Sequence, residues 1–293
     1  MSTTPHSEDV PPEGMPPADG APDDDLPTDD AGATRGAQSI RRALAVLRIV
    51  ASGQERGVRL VDAARATGLN RTTVHRILRV LIDEGAVEQD RLTRSYLIGR
   101  EVALLGLART ARFPIRAIAE PHLRHLAETL GDTTFLTIRN GVDSVCIDRR
   151  PGSYPIKVLS IEIGARRPLG AGVSGLMLLA GLPPDEARQI VRRNGQRLAQ
   201  LGIDGAALLA RAEQARTLGY AFAPNGVVPG TRAIAVPVRR QDGRTVAGIA
   251  LTATSDRLPD ERLPLLVARM SERARLIAER LDEIAGRNTS RGG

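Results

Sequence analysis

The sequence predicts an α+β chain with two folded parts. A winged helix-turn-helix lies near the N-terminus, and a larger domain follows with helices segregated around a mostly antiparallel sheet. Three observations predict this. The helical runs "LVDAARATG" and "RTTVHRILRVLID" are joined only by Gly68, Leu69 and Asn70, the tight connection of a helix-turn-helix. The next segment, "AVEQDRLTRSYLIG", reads as two short strands around a polar turn, a hairpin wing. Beyond residue 130, extended runs alternate with helical ones. The expected boundaries are a tail over 1–37, the winged module over 38–100, a linker helix over 101–115, the larger domain over 116–286, and a flexible end over 287–293.

Residues 1–37 hold nine acids and a single base, Arg35, although the whole chain carries +7. Seven prolines precede residue 28. Such a segment cannot bury enough apolar surface to fold and is expected to be disordered. It would act as a solubilising leader, or as a tail competing for a basic surface elsewhere in the chain. Ser39 is the expected cap of the first helix, with Ile40, Ala43, Leu44, Leu47 and Val50 facing inward. Gly53 and Gly57 stop it, and residues 58–60 form a short extended piece. Gly68 closes the second helix. Asn70 caps the third, whose Val74, Ile77, Leu78 and Leu81 point inward until Gly85 ends it.

The outward face of that third helix reads Arg71, Thr72, Thr73, His75, Arg76 and Arg79, with no acid before Asp83. A solvated helix favours acids in its first turn, where the helix dipole is positive. Hydroxyls and arginines there suit phosphate oxygens and base edges instead. Residues 38–100 hold twelve arginines against six acids, so double-stranded DNA is the expected partner. Thr72, Thr73, Arg91 and Arg94 are expected to hold phosphates. Arg71 and Arg76 are expected at base edges, where a guanidinium grips guanine bidentately. His75 is expected to make a phosphate contact or a packing contact.

In the linker helix, Val102, Leu105 and Leu107 make an apolar set suited to pairing with a second subunit, and Phe113-Pro114 breaks the helix. A helix over 116–130 follows, then extended runs at 133–139, 143–149 and 155–161. Helices are expected near 173–181, 184–193 and 204–218, with strands at 220–223, 231–239 and 244–254. A last helix over 259–285 carries Leu263, Leu266, Met270, Ile277, Leu281 and Ile284 on one side. In "RRPLGAGVSGLMLLA", Gly170, Gly172 and Gly175 would let the backbone approach a ligand, and the start of the next helix suits an anion. A tight turn packing that helix on the sheet is the plainer alternative.

Composition excludes several classes. Cys146 is the sole cysteine, which rules out an internal disulfide and a Cys-rich zinc site and fits a reducing cytoplasm. No apolar run reaches the roughly 18 residues of a membrane span, and no signal-peptide pattern opens the chain. His122 and His125 stand at a metal-compatible spacing, but no companion ligands accompany them, so surface histidines and no metal are expected. No nucleophile triad, phosphate loop or dinucleotide fingerprint is present, and neither an enzyme nor a cofactor is expected.

Over about residues 38–285 the chain resembles the IclR family of bacterial transcription regulators. The resemblance rests on "SIRRALAVL", "ATGLNRTTVHRILRVLIDEGAVE", "YLIGREVALLG", "PHLRHLAETLGDTTFLTIRNG", "IGARRPLGAGVSGLMLLAGLP", "ARTLGYAF", "GTRAIAVPV" and "GRTVAGIALT", in that order. It implies a homodimer or homotetramer with a C-terminal effector-binding domain similar to GAF and PAS sensors. It carries an effector-binding role to Gly172, Val173 and Ser174. Relatives that bind small carboxylates place polar residues at positions matching Ala223, Ala233, Ala250 and Thr252. Here three of those four are alanine, Asn225-Gly226 replaces an acidic pair, and Leu176 stands where a lysine is common. The runs containing Leu159 and Ile249 would supply apolar walls. The expected effector is therefore larger or more apolar, such as an aromatic acid whose carboxylate meets Ser174 and the helix start. Loss of effector sensing, a sequence-neutral nucleic-acid binder and an enzyme built on the sensor domain are the alternatives.

Overall fold

The structure, a computed structural model, describes residues 31–110 and 114–289. The acidic segment 1–30, the Phe113 helix break and residues 290–293 lie outside the described residues. The chain divides after Leu104 into two compact units.

The first unit begins with α1 (Ala31–Ser52), followed by α2 (Leu60–Thr67) and α3 (Arg71–Asp83). Ser39 lies inside α1 and does not cap it. The helix extends upstream of the apolar pattern. The inward face is also shifted. Val46 and Val50 are fully buried, whereas Ile40 is 64% and Leu44 44% exposed, because only the C-terminal half of α1 meets the core. That core joins Val46 and Val50 to Ala63 of α2, Val74 and Leu78 of α3, and Val87 and Tyr96 of the wing. The strands β1 (Val87–Gln89) and β2 (Tyr96–Ile98) pair antiparallel, and Val58 adds a bridge to Tyr96. α4 (Arg100–Thr110) follows and runs across the division between units.

The second unit is a six-stranded sheet in the order β5-β4-β3-β8-β7-β6, with every pairing antiparallel. Its strands are β3 (Thr133–Asn140), β4 (Asp143–Arg150), β5 (Arg166–Pro168), β6 (Ala221–Ala223), β7 (Thr231–Arg239) and β8 (Thr245–Thr254). Alternation sorts their side chains onto two faces. Leu136, Ile234, Val236, Ile249 and Leu251 pack on α5 (Ile115–Leu130) and α10 (Leu263–Thr289), through Leu123, Leu126, Leu266, Met270 and Ile277. Phe135, Cys146, Ala233, Ala235 and Ala250 face the other way, toward α6 (Gly172–Ala180), α7 (Pro184–Arg193) and α9 (Gly205–Leu218).

Two expectations for this unit are corrected. Residues 155–161 form no strand, and the edge of β4 is taken by residues 166–168. Residues 155–161 instead run as a loop, held by Arg149, whose guanidinium donates to the Ile161 carbonyl at 3.1 Å and pairs with Glu162. A short helix, α8 (Gly195–Gln200), was not expected. Buried Asn194 fixes its start by donating to the Val142 carbonyl at 2.7 Å and accepting from Arg197. At the end of α5, the Asp132 carboxylate is buried and receives Arg257 and Arg262, each at 2.7 Å. Among the described residues no helix is long and apolar enough to cross a membrane.

Candidate nucleic-acid interface and ligand cavity

α3 starts where it does because Asn70 stops the preceding link in an extended conformation and its Oδ1 accepts the Thr73 N–H at 2.7 Å. Burial of Val74 and Leu78 fixes the helix's rotation. Arg71, Thr72, His75, Arg76 and Arg79 are thereby turned outward and exposed, with Thr73 half-buried. No acid occupies the first turn. Arg71, Thr72 and His75 line an open groove together with Arg59 at the start of α2 and Gln89, Thr93 and Arg94 of the wing. Arg76 and Arg91 are exposed but lie outside that groove's lining. Arg59, Gln89 and Thr93 were not singled out from sequence. Arg59 precedes a helix too short for its outward face to show in periodicity, and the other two are brought in by wing pairing.

The wing turn is held by side-chain hydrogen bonds. Asp90 accepts the N–H groups of Leu92 and Thr93 and the Thr93 hydroxyl, and these bonds hold its carboxyl below the usual range. Arg94 takes a left-handed backbone at φ 59°, and Gln89 donates to its carbonyl. Leu92 is left at the tip, 94% exposed.

In the second unit, a cavity of about 320 Å³ lies on the α6 side of the sheet. Its floor draws residues from all six strands. Register places Arg167 opposite Ser144, Cys146 opposite Thr137, Phe135 opposite Ala250, Thr252 opposite Ala233, and Ala233 opposite Ala223. All of these residues line the cavity. Gly172, Val173 and Ser174 at the start of α6 form its roof, and Ser174 is buried. Gly172 opens that helix at φ 71°, a left-handed conformation that disfavours a side chain. Beneath it, a Cβ on Gly248 would stand 3.2 Å from the Ser174 carbonyl, so glycine there lets α6 sit close on β8.

Seven of the eight residues expected at an effector site, Gly172, Val173, Ser174, Ala223, Ala233, Ala250 and Thr252, therefore share one cavity. Leu159 does not. It is 45% exposed, and Ile161 from the same loop lines the cavity in its place, because the segment lacks strand alternation. The lining contains no Asp or Glu but holds two guanidiniums, Arg167 and Arg211. Burial pushes Arg167 below the usual guanidinium value, although the nearby Cys146 raises it in part. Burial also pushes the Cys146 thiol up to about 12, which keeps it protonated and unreactive. Elsewhere, His125 shares its Nε2 with the Arg273 guanidinium at 2.9 Å, and burial lowers His122. Among the described residues no group of three or more His, Cys, Asp or Glu is placed to hold a metal.

Comparison with known proteins assigns both units. Residues 39–91 match the IclR helix-turn-helix domain, and residues 108–279 match the bacterial transcriptional regulator IclR C-terminal domain. The HTH-type transcriptional regulator BhcR of Paracoccus denitrificans is 31% identical over 242 residues, covering 82% of this chain and 86% of that protein. The HTH-type transcriptional repressor AllR of Escherichia coli K12 is 31% identical over 233 residues, covering 78% and 85%. Among solved structures, an IclR transcriptional regulator from Alicyclobacillus acidocaldarius superposes with a TM-score of 0.65 at 23% identity, covering 83% of this chain and 98% of that one. An IclR homologue from Microbacterium hydrocarbonoxydans, complexed with 4-hydroxybenzoate, gives a TM-score of 0.64 at 23% identity, covering 84% and 99%. These two structures speak for the fold. With family matches over both units and relatives at 31% identity along most of its length, this chain belongs to the IclR family of DNA-binding transcriptional regulators.

Proposed function

We propose that this regulator's hold on its operator is set by a small organic acid with an apolar or aromatic body, bound in the cavity under α6. The observation that carries this is the cavity's chemistry. Alanines 223, 233 and 250 and Phe135 form an apolar part of its floor, no Asp or Glu lines it, and the α6 start and the buried Ser174 hydroxyl stand at its roof, with Arg167 and Arg211 also in the lining. Alanines at 223, 233 and 250 leave room for a ring, and a helix N-terminus is suited to a carboxylate. The volume sits at the low end of the roughly 300–1,000 Å³ usual for small-molecule sites. The aromatic acid bound by the Microbacterium homologue belongs to the same class of ligand.

At the DNA end, Arg71 and Arg76 read base edges, and Thr72, Thr73, Arg91 and Arg94 hold phosphates, with His75 beside them. The active species is a homodimer or a tetramer built from such dimers. α4 contributes the pairing surface, since Leu104, Leu105 and Leu107 are all exposed. Two reading helices then meet half-sites about one helical turn apart, or a multiple of it. The effector must bind one arrangement of the two DNA-reading heads better than the other for the cavity to govern DNA binding. A thermal-shift screen of the full chain against small acids tests this, followed by footprinting with and without the hits. Stabilisation by an acid that also alters the footprint is expected. Strong stabilisation by glyoxylate or pyruvate with none by aromatic acids would reverse the ligand class. A second reading, loss of effector sensing, is favoured by the same three alanines and predicts no stabilising acid at all.

A further inference from the structure

Leu92 is the most exposed large apolar residue among those described, at 94%. A lone exposed leucine is ordinary on a protein surface. This one differs in where it stands and how it is held. Residues 90–95 join β1 to β2, and such turns favour polar side chains. The Leu92 N–H donates to the Asp90 carboxylate at 3.0 Å, and the Arg94 N–H donates to the Asp90 carbonyl at 3.0 Å. The Asp90 N–H donates in turn to the Ser95 carbonyl at 2.9 Å. Hydrogen bonds thus hold the backbone of the tip while the Leu92 side chain is left uncovered. Arg91, beside it, is exposed as well.

The groove between α3 and the wing indicates what this tip meets. Arg59, Arg71 and Arg94 line it, with Thr72 and Thr93, and no acid does. Three guanidiniums and two hydroxyls along an open channel suit one sugar–phosphate strand. In a duplex that strand is the ridge between a major and a minor groove. With α3 on the major-groove side of the ridge, the wing stands on its minor-groove side. Thr93 and Arg94 belong to the channel lining and Leu92 does not, so the turn carries Leu92 past the ridge. A minor groove about 6 Å wide does not admit a hairpin whose two backbones alone stand about 5 Å apart. Only a leading side chain enters.

We propose that Leu92 is an apolar wedge that enters the operator's minor groove and partly unstacks one base step there. Leucine has no donor or acceptor with which to read a base edge. What it offers is bulk, and bulk is accommodated best at a pyrimidine–purine step, which kinks readily. Arg91 and Arg94 hold phosphates on either side of the wedge. The kink bends the duplex toward its major groove, where α3 lies. Leu92 thereby adds a preference at a step that no side chain hydrogen-bonds, beside the preference set by Arg71 and Arg76. This rests on α3 occupying the major groove, as proposed above.

The probe is a duplex selected from random-sequence DNA by the full chain and labelled at both ends for energy transfer. Affinity and end-to-end distance are read for the unaltered chain, Leu92→Ala, Leu92→Met and Arg76→Ala. Thermal melting and light scattering should be unchanged in both Leu92 variants, because the side chain packs on nothing in its own subunit. Leu92→Ala should bind the selected duplex about tenfold more weakly. It should also lengthen the bound duplex end to end, with an unchanged dependence on salt, since no phosphate contact is lost. Leu92→Met, which keeps the bulk, should stay within about threefold of the unaltered chain. Binding by Leu92→Ala within about twofold, at an unchanged end-to-end distance, would overturn the wedge. The α3 reading would then still stand if Arg76→Ala relaxes preference at one base pair. A lower mass for Leu92→Ala in light scattering would also overturn the wedge, by making Leu92 a contact between protein chains. If no duplex is enriched, the wedge and the α3 reading fall together.

Discussion

Asn70 begins α3 with one hydrogen bond, and Asp132 ties the end of α5 to two arginines. The two act differently. A cap satisfies one exposed donor, so Asn70→Ala should cost about 1 kcal/mol in urea unfolding. A loss within a few tenths of zero would show that the packing of Val74 and Leu78 alone starts the helix. Asp132 is a buried carboxylate, and Asp132→Ala would strand two partly buried guanidiniums. The expected loss is about 3–5 kcal/mol. Cys146 gives a pH prediction. Its thiol is held near 12 when folded against an ordinary 9, so the folded state keeps a proton that the unfolded chain loses. The stability it contributes is fully present below pH 9 and is lost as pH rises from 9 toward 12. A thiol reagent at pH 8 should leave Cys146 unmodified in the native protein and label it in urea; rapid native labelling would contradict its burial. At the interface, Arg76→Ala should lower specific binding by roughly 1–3 kcal/mol and relax preference at one base pair. Equal weakening on every sequence would make it a phosphate contact.

At the scale of elements, long periodic segments were legible and tertiary ones were not. α3 was readable because its cap, apolar spacing and stopping Gly85 agree. β7 and β8 were readable because their ten or so alternating residues are covered on both faces. The loop over 155–161 misled because Ile156, Val158 and Ser160 alternate like a strand, yet Val158 alone is buried and no neighbour pairs with the segment. α8 was invisible because a distant carbonyl, that of Val142, fixes its first turn. The alanines were noted residue by residue, but only the fold shows that Arg167 lines the same cavity. α4 leaves Leu104, Leu105 and Leu107 exposed within one helical turn. On the proposed oligomer, Leu105→Glu with Leu107→Glu should lower the mass read by light scattering, and an unchanged mass would contradict pairing through α4.

At the scale of the molecule, a basic helix-turn-helix module precedes a unit whose cavity is lined by two arginines and no acid. DNA binding should weaken steeply with salt, since each phosphate contact releases counterions. Removing a phosphate residue such as Arg94 should reduce the slope of log affinity against log salt by about one. The central claim is that the exposed arginine-and-threonine face of α3 reads sequence under the control of the cavity. Selection of genomic fragments by the purified full chain at moderate ionic strength, with and without a cavity-binding acid, tests it most directly. The account predicts enrichment of one fragment class carrying paired half-sites, altered by the acid and relaxed at one base pair in Arg76→Ala. Recovery of fragments in proportion to their abundance under every condition would contradict it.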